Sequence, residues 1–251
     1  MQYRDFEALQ RQFPSLSWQQ IQRILHNRPQ ENWQKDGENL ETGMPWEYIC
    51  GKSDFGSIEL SIQAPLLIPR SDTWDWVEKV AQCFKANSVL DLGCGPGTIG
   101  LGLNAFHPHS FDLVAIDINH IAIQIATQNF TASSIRNWQC FQSHWFDNIP
   151  PQKFDLIVSN PPYCDKEHSV FFENSLEDPQ ARFAPHGGLL PYVKIFEKAS
   201  QYLHPSGLVI VEHGADQGLT LVRLAQFYNM QYAQSFFDQG GAWRATEFHL
   251  T

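Results

Sequence analysis

Apolar residues in the larger, C-terminal part of the chain follow a repeating order of strand-like runs and helix-like stretches. The runs are dense in Val, Ile, Leu and Phe and occupy 88–93, 111–118, 138–142, 154–160 and 207–214, with a further pair near the C-terminus. Residues 75–84 have apolar positions at helical spacing. Strands that alternate with helices predict an α/β fold with a doubly wound parallel sheet, whose ligands bind at the carboxyl ends of the strands.

The N-terminal part has a different pattern. Apolar residues recur at steps of three and four between residues 3 and 25 and predict two short amphipathic helices. Residues 26–43 are polar and rich in helix breakers, which favours a surface linker. Residues 45–70 alternate around Asp-Phe-Gly-Ser and predict a β-hairpin. We therefore expect a small helical region at 1–43, a β-hairpin linker at 44–68 and a catalytic domain at 69–251.

Composition narrows the class of protein. The chain has 251 residues, of which 43% are hydrophobic, enough for one sizeable core. The net charge of −10 disfavours an extended nucleic-acid interface. Five cysteines without a C-x-x-C pair argue against a zinc site and a disulfide framework, and no metal is expected. With no long apolar run, we expect a soluble cytoplasmic protein that does not enter a membrane.

A glycine-rich loop follows the first of the apolar runs. The stretch VLDLGCGPGTIG, residues 89–100, lets the backbone turn sharply and approach a ligand. Asp117 ends the next run, where its carboxylate can accept hydrogen bonds from ribose hydroxyls. Both NAD and S-adenosylmethionine satisfy this pattern. Asp91 favours the second to some extent, because a pyrophosphate gains nothing from a nearby carboxylate whereas a sulfonium tolerates it.

The tetrapeptide Asn160-Pro161-Pro162-Tyr163 directly follows another buried run. The two prolines cannot extend a ladder of hydrogen bonds, and they fix the backbone at the edge of the sheet. Asn160 offers a carbonyl acceptor there, and Tyr163 offers an aromatic face. This arrangement favours a clamp for the NH₂ group of a planar substrate.

DLGCGPG, AIDIN and NPPY together resemble the Rossmann-like methyltransferases that use S-adenosylmethionine to methylate planar amine or amide nitrogens. The hairpin segment that ends in Pro69-Arg70, together with EDPQARFAPHGG at 177–188, is similar to the HemK/PrmC family. That family methylates the glutamine of the Gly-Gly-Gln motif in peptide chain release factors. The resemblance covers roughly residue 44 to the C-terminus.

The resemblance implies roles for individual residues. The amino-acid end of the cofactor would lie along the loop, the ribose on Asp117 and the adenine near Trp145; with Asn160, the candidate cofactor residues are Asp91, Gly93, Cys94, Gly95, Pro96, Gly97, Asp117 and Trp145. The glutamine amide would be held by the catalytic set Asn160, Pro161, Pro162 and Tyr163. Three features depart from the family pattern: His144 replaces an Asp, residues 71–74 read Ser-Asp-Thr-Trp, and the N-terminal region is shorter and less helical than the usual bundle of the family.

Three other functions remain open at this point. Ser71 leaves room for a ribosomal-protein glutamine methyltransferase. An exocyclic-amine methyltransferase of DNA or RNA is disfavoured by the negative charge, since such an enzyme must neutralise phosphates. A binding protein that has lost catalysis is disfavoured by the intact Asn-Pro-Pro-Tyr motif. Glu212 and His213 end a strand and are interpreted as a pair that packs the pocket.

Overall fold

The computed structural model describes residues 3–83, 85–108, 111–165 and 175–251. Its N-terminal helices are α1 (Tyr3–Gln12), α2 (Trp18–Asn27), α3 (Trp33–Glu41) and α4 (Trp46–Cys50). A two-stranded hairpin follows, formed by β1 (Lys52–Phe55) and β2 (Ile58–Ser61). Among the described helices, none combines the length and apolar character that a membrane crossing requires.

The rest of the chain alternates strands and helices. In chain order these are α5 (Ser71–Cys83), β3 (Ser88–Leu92), α6 (Thr98–Phe106), β4 (Asp112–Asp117), α7 (His120–Ala132), β5 (Trp138–Gln142), β6 (Phe154–Ser159), α8 (Leu190–Tyr202), β7 (Leu203–Glu212), α9 (Gly218–Gln226), β8 (Met230–Phe237) and β9 (Trp243–Leu250). The helix expected at 75–84 thus begins four residues earlier, and Phe84 lies outside the described residues.

One sheet carries seven of these strands in the order β5-β4-β3-β6-β7-β9-β8. The five strands from β5 to β7 are parallel neighbours, as expected. The two C-terminal strands are the exception, because β9 pairs antiparallel with both β7 and β8. The short connection from β8 to β9 explains this difference, since a tight turn can join only antiparallel strands.

Helices cover both faces of the sheet, as a doubly wound fold requires. On one face, α5, α6 and α7 enclose a core that contains Trp76, Leu101 and Phe130. On the other face, α8 and α9 pack Phe196 and Leu221 against the strands. The carboxyl ends of the five parallel strands are left at one open edge.

Two expectations for the N-terminal part were wrong. Residues 33–41, within the expected linker, form α3, whose Gly37 packs against the ring of Phe13 and whose buried Asp36 accepts a hydrogen bond from Arg28 Nε at 2.8 Å. The polar composition of this segment did not indicate a helix, because the helix is stabilised by tertiary contacts more than by the intrinsic helix propensity of its residues. Residues 46–50 form a helical turn and not a strand, because Ile49 packs into the N-terminal cluster. The domain boundaries at 43/44 and 68/69 stay predictions.

Candidate active site

Three neighbouring strands bring the predicted site residues to the same edge of the sheet. β3 lies between β4 and β6, and Leu92 at its end is paired with Ser159 of β6. The Ser159 hydroxyl donates a hydrogen bond to the carbonyl of Leu92 at 2.7 Å. The glycine loop after β3 and the Asn-Pro-Pro-Tyr turn after β6 therefore start side by side.

The glycine loop is folded tightly under the end of β4. The backbone N–H groups of Gly93 and Cys94 both donate to the carbonyl of Ile116, at 2.8 and 2.9 Å. Gly93 and Gly95 have positive φ angles of 73° and 55°, and no atom of the described residues beyond their chain neighbours lies within 4 Å of where a Cβ would be built on either. These two glycines therefore leave open space above the loop that a ligand can occupy.

The space beside Gly97 is filled by protein atoms, unlike the space beside Gly93 and Gly95. Gly97 also has a positive φ, of 91°, but a Cβ there would lie 2.9 Å from the ring of Phe130. Pro96, one residue earlier, presents its carbonyl to Asn129 Nδ2 at 2.8 Å. The C-terminal half of the loop is thus packed against α7, and Gly97 is needed for packing at the start of α6.

Asp91 lies beneath the loop and is fully buried. Its Oδ2 accepts the backbone N–H of Gly100 at 3.1 Å, whereas Oδ1 has no hydrogen-bond partner among the described residues. Burial raises the pKa of this carboxyl to about 7, with a smaller contribution from the charge of Asp117. A buried carboxyl with one oxygen unpartnered among the described residues therefore lies directly under the glycine loop.

Asp117 ends β4 beside the loop. Its oxygens accept the backbone N–H groups of Gly95 and Asn119, both at 2.9 Å. Burial is the largest of several influences and raises the pKa of its carboxyl. Each oxygen keeps a further lone pair, so the carboxylate can still accept hydrogen bonds from a ligand hydroxyl.

These elements surround a cavity of about 460 Å³. The predicted residues that line it are Gly93, Cys94, Gly95, Pro96, Asp117, Trp145, Asn160 and Pro162. Four predicted residues are not in its lining: Asp91, Gly97, Pro161 and Tyr163. His144, which departs from the family pattern, also lines the cavity and has its Nδ1 3.4 Å from Asp147.

The Asn-Pro-Pro-Tyr turn presents its first residue to the cavity and its last residue to the protein interior. The side chain of Asn160 donates from Nδ2 to the hydroxyl of Thr73 at 3.3 Å. The Tyr163 hydroxyl instead donates to Glu212 Oε1 at 3.3 Å, and burial raises the pKa of the phenol. The Tyr163 carbonyl accepts from Gln217 Nε2 at 3.0 Å. Tyr163 thus supports the turn from behind.

Sequence reasoning assigned no role to Thr73 and interpreted Glu212 too simply. Thr73 lines the cavity on the first turn of α5, and it appeared only as part of a departure from the family pattern. Glu212 was interpreted as packing, but its carboxylate accepts hydrogen bonds from three side chains, with burial raising its pKa. A buried carboxylate at a strand end was the only signal for it.

The residues present fit S-adenosylmethionine. The open backbone at Gly93 and Gly95 offers space for its amino-acid end, and Asp117 offers acceptors for ribose hydroxyls. Trp145, which adopts a positive φ of 50°, adds an aromatic wall to the same cavity. The cavity therefore has both the open backbone and the acceptors that such a cofactor requires.

Comparison with known folds and families agrees with this reading. The methyltransferase small domain family matches residues 76–204. A methyltransferase from Pyrococcus furiosus superposes with a TM-score of 0.60 at 16% identity, covering 85% of this chain and 98% of that one. A ribosomal protein L11 methylase from Lactobacillus delbrueckii subsp. bulgaricus gives a TM-score of 0.53 at 15% identity, covering 71% and 77%. At these identities the two structures support the fold alone.

Closer relatives are found by sequence. The release factor glutamine methyltransferase of Buchnera aphidicola subsp. Schizaphis graminum is 38% identical over 208 residues, covering 81% of this chain and 75% of that protein. The enzyme of the same name from Salmonella typhimurium is 33% identical over 213 residues, covering 83% and 76%. With this identity over most of both proteins, and with a cavity built from the glycine loop and the Asn-Pro-Pro-Tyr turn, the chain belongs to the release factor glutamine methyltransferase family.

Proposed function

We propose that this protein transfers a methyl group from S-adenosylmethionine to the side-chain amide nitrogen of the glutamine in the Gly-Gly-Gln motif of peptide chain release factors. Membership of the family supports the donor and the substrate. The observation that carries the proposal is that Asn160 and the open glycines of the loop line one cavity. A cofactor on the loop and an amide at Asn160 would therefore share a single enclosed space.

Gly93 and Gly95 would lie along the amino-acid end of the cofactor, and Asp117 would accept hydrogen bonds from its ribose. Trp145 would contact the adenine. When bound, S-adenosylmethionine supplies the methyl group from its positively charged sulfonium. Residues of this chain then have to hold the acceptor amide in the reactive orientation and exclude water from it.

An amide nitrogen is a poor nucleophile because its lone pair is delocalised into the carbonyl. Asn160 Oδ1 and the backbone carbonyl of Pro161 would accept the two N–H bonds of the substrate amide. This pairing directs the nitrogen lone pair into the cavity and stabilises the positive charge that develops on the nitrogen. As the N–CH₃ bond forms, the bond between the methyl group and the sulfur of the donor would break, and the nitrogen would release one of its two protons to solvent.

The protein substrate also agrees with the charge of the chain. A net charge of −10 does not favour the phosphate contacts of a DNA or RNA methyltransferase, and we propose that the enzyme binds no nucleic acid directly. All five cysteines are free thiols, which supports a cytoplasmic location.

The test is transfer of labelled methyl from S-adenosylmethionine to a purified release factor. A factor with Gln changed to Ala in its Gly-Gly-Gln motif is the control. Label on the natural factor that is absent from the control establishes substrate and site together. If neither carries label although the cofactor binds, the release factor is not the substrate, and ribosomal proteins become the next acceptors to assay.

The clamp is tested separately by Asn160→Ala. Loss of one preorganised acceptor lowers kcat by about 10²-fold. Cofactor affinity, measured by calorimetry, is expected to change much less because the glycine loop is intact. Turnover close to that of the unmodified enzyme would refute the clamp.

A further inference from the structure

We propose that Thr73 and Glu212 form a positioning pair that fixes which end of the Asn160 side-chain amide faces the substrate. This inference rests on the proposed function, since it concerns how the amide of the acceptor is held. Thr73 comes from the first turn of α5, Asn160 follows β6, and Glu212 ends β7. Three separate elements thus meet at one hydrogen-bonded chain.

This series of hydrogen bonds begins at the carboxylate of Glu212. Its Oε2 lies 2.7 Å from Trp76 Nε1, a group that can only donate. The same oxygen lies 2.6 Å from the Thr73 hydroxyl, and Oε1 lies 3.3 Å from the hydroxyl of Tyr163. In its ionised form the Glu212 carboxylate has no hydrogen to donate, so it accepts from each of these three groups. Thr73 therefore uses its single hydrogen on Glu212.

The direction of this hydrogen bond determines the next one. With its hydrogen committed to Glu212, the oxygen of Thr73 has only lone pairs to offer to Asn160. It lies 3.3 Å from the Asn160 side chain, so it must face the NH₂ end of that amide. The opposite, carbonyl end of Asn160 is then left for the cavity that Asn160 lines.

This orientation matters because the substrate amide also presents an NH₂ group. If the Asn160 side chain were rotated by 180° about its terminal bond, two NH₂ groups would face each other and no hydrogen bond would form. A rotated Asn160 would still fill the same space, since oxygen and NH₂ are similar in size. Among the described residues, the acceptor that distinguishes the two orientations is the hydroxyl of Thr73.

The side chain of Glu212 is itself held rigidly. Glu212 is 1% exposed, and its backbone carbonyl accepts the Tyr192 hydroxyl at 2.9 Å. Because the Glu212 carboxylate is already fixed, Thr73 and Asn160 are held in this orientation before the substrate binds. No further conformational entropy of these side chains is lost in the transition state. Thr73 and Glu212 are thus expected to affect kcat more than cofactor binding.

The variant Thr73→Val removes the hydroxyl with little change in shape, and Thr73→Ser retains it as the matched control. We expect Thr73→Val to lower kcat by at least ~10-fold, with cofactor affinity within about twofold of the unmodified enzyme. Thr73→Ser is expected to stay within ~3-fold. Circular dichroism and calorimetry with the cofactor establish that each variant is folded, and Thr73→Ala replaces Thr73→Val if the latter is not.

A double-mutant cycle separates positioning from a structural effect. If Thr73 acts through Asn160, adding Thr73→Val to Asn160→Ala changes kcat by less than about twofold. A Thr73→Val turnover equal to that of the unmodified enzyme overturns the proposal, as does a full additional loss in the Asn160→Ala background. Failure of the unmodified enzyme to label a release factor is a different result; the cycle is then run on whichever amide acceptor is labelled.

Discussion

Arg70 donates through Nη2 to both carboxylate oxygens of Glu177, at 2.6 and 2.7 Å. Glu177 is buried, and it also accepts the backbone N–H of Ile68 at 3.0 Å and lies 3.6 Å from Arg182 Nη1. This carboxylate therefore joins the segment before α5 to the segment that precedes the short 3₁₀ helix Pro179–Ala181. Both segments contribute residues to the wall of the cavity.

Glu177→Gln is expected to lower the free energy of unfolding by about 3 kcal/mol, because it removes the negative charge that lies against the buried guanidinium of Arg182. Glu59→Gln is the matched control, since Glu59 pairs with Lys52 at 2.5 Å in an exposed position. The control is expected to cost less than about 1 kcal/mol. Urea unfolding of both variants gives the comparison, and equal losses would contradict the role of burial.

The hairpin turn is held against the catalytic domain by a glycine. A Cβ on Gly56 would lie 1.9 Å from the indole of Trp74, and Gly56 has a φ of 56°. Gly56→Ala is expected to destabilise the protein by about 3 kcal/mol through overlap and backbone strain together. Gly43→Ala adds backbone strain alone, because Gly43 has a φ of 82° but no atom of the described part of the chain lies within 4 Å of the added Cβ, and it should cost about 1 kcal/mol. Similar thermal denaturation midpoints for the two variants would show that the hairpin yields to the added methyl group.

Gly95→Ala tests whether the cofactor occupies the open space above the glycine loop. The added methyl group meets no atom of the described residues within 4 Å, so the variant should fold. The methyl group projects, however, into the space that we assign to the cofactor. We expect the Kd for S-adenosylmethionine to rise by at least ~10-fold. Gly241→Ala, between β8 and β9, carries similar strain at a φ of 82° in open space and should leave the Kd unchanged. Calorimetry that finds equal Kd values in both variants would place the cofactor elsewhere.

Asp91 makes stability depend on pH. Its pKa is raised to about 7 in the folded protein, from 3.8 without the surrounding structure. Between these values the folded protein binds more protons than the unfolded chain, so its stability falls as the pH rises from about 4 to about 7 and is level above. Asp91→Asn removes this titration. Relative to Asp91→Asn, the unmodified protein should lose on the order of 2 kcal/mol between pH 5 and pH 8.

The measurement is urea unfolding of both proteins at the two pH values, without added cofactor. The difference between the proteins is the relevant quantity, because the other titrating groups are common to both. A difference that does not change with pH would mean that Asp91 has an ordinary pKa in the folded protein.

Much of the fold could be predicted because each parallel strand is a short apolar run that ends in a distinctive residue. Asp91, Asp117 and Asn160 lie at or just after such ends, so the strand pattern also placed them near one edge. The helix α3 was missed because its buried face consists of Asp36, Gly37 and Leu40, which no hydrophobic period reveals.

The link between Thr73 and Glu212 was missed for a different reason. These residues are 139 positions apart, and their contact depends on how α5 crosses the sheet. A local pattern carries no information about such a meeting. The same holds for Arg70 and Glu177, which are 107 positions apart.

The order of the strands also determines when the parts of the site become available during synthesis on the ribosome. A nascent chain that extends through Tyr163 already contains the glycine loop after β3 and the Asn-Pro-Pro-Tyr turn after β6, the two strands that are neighbours in the finished sheet. It lacks Glu212, which is made only at the end of β7. Until that strand leaves the ribosome and joins the sheet, the nascent chain contains both sequence motifs of the site but lacks the carboxylate that accepts the Thr73 hydrogen.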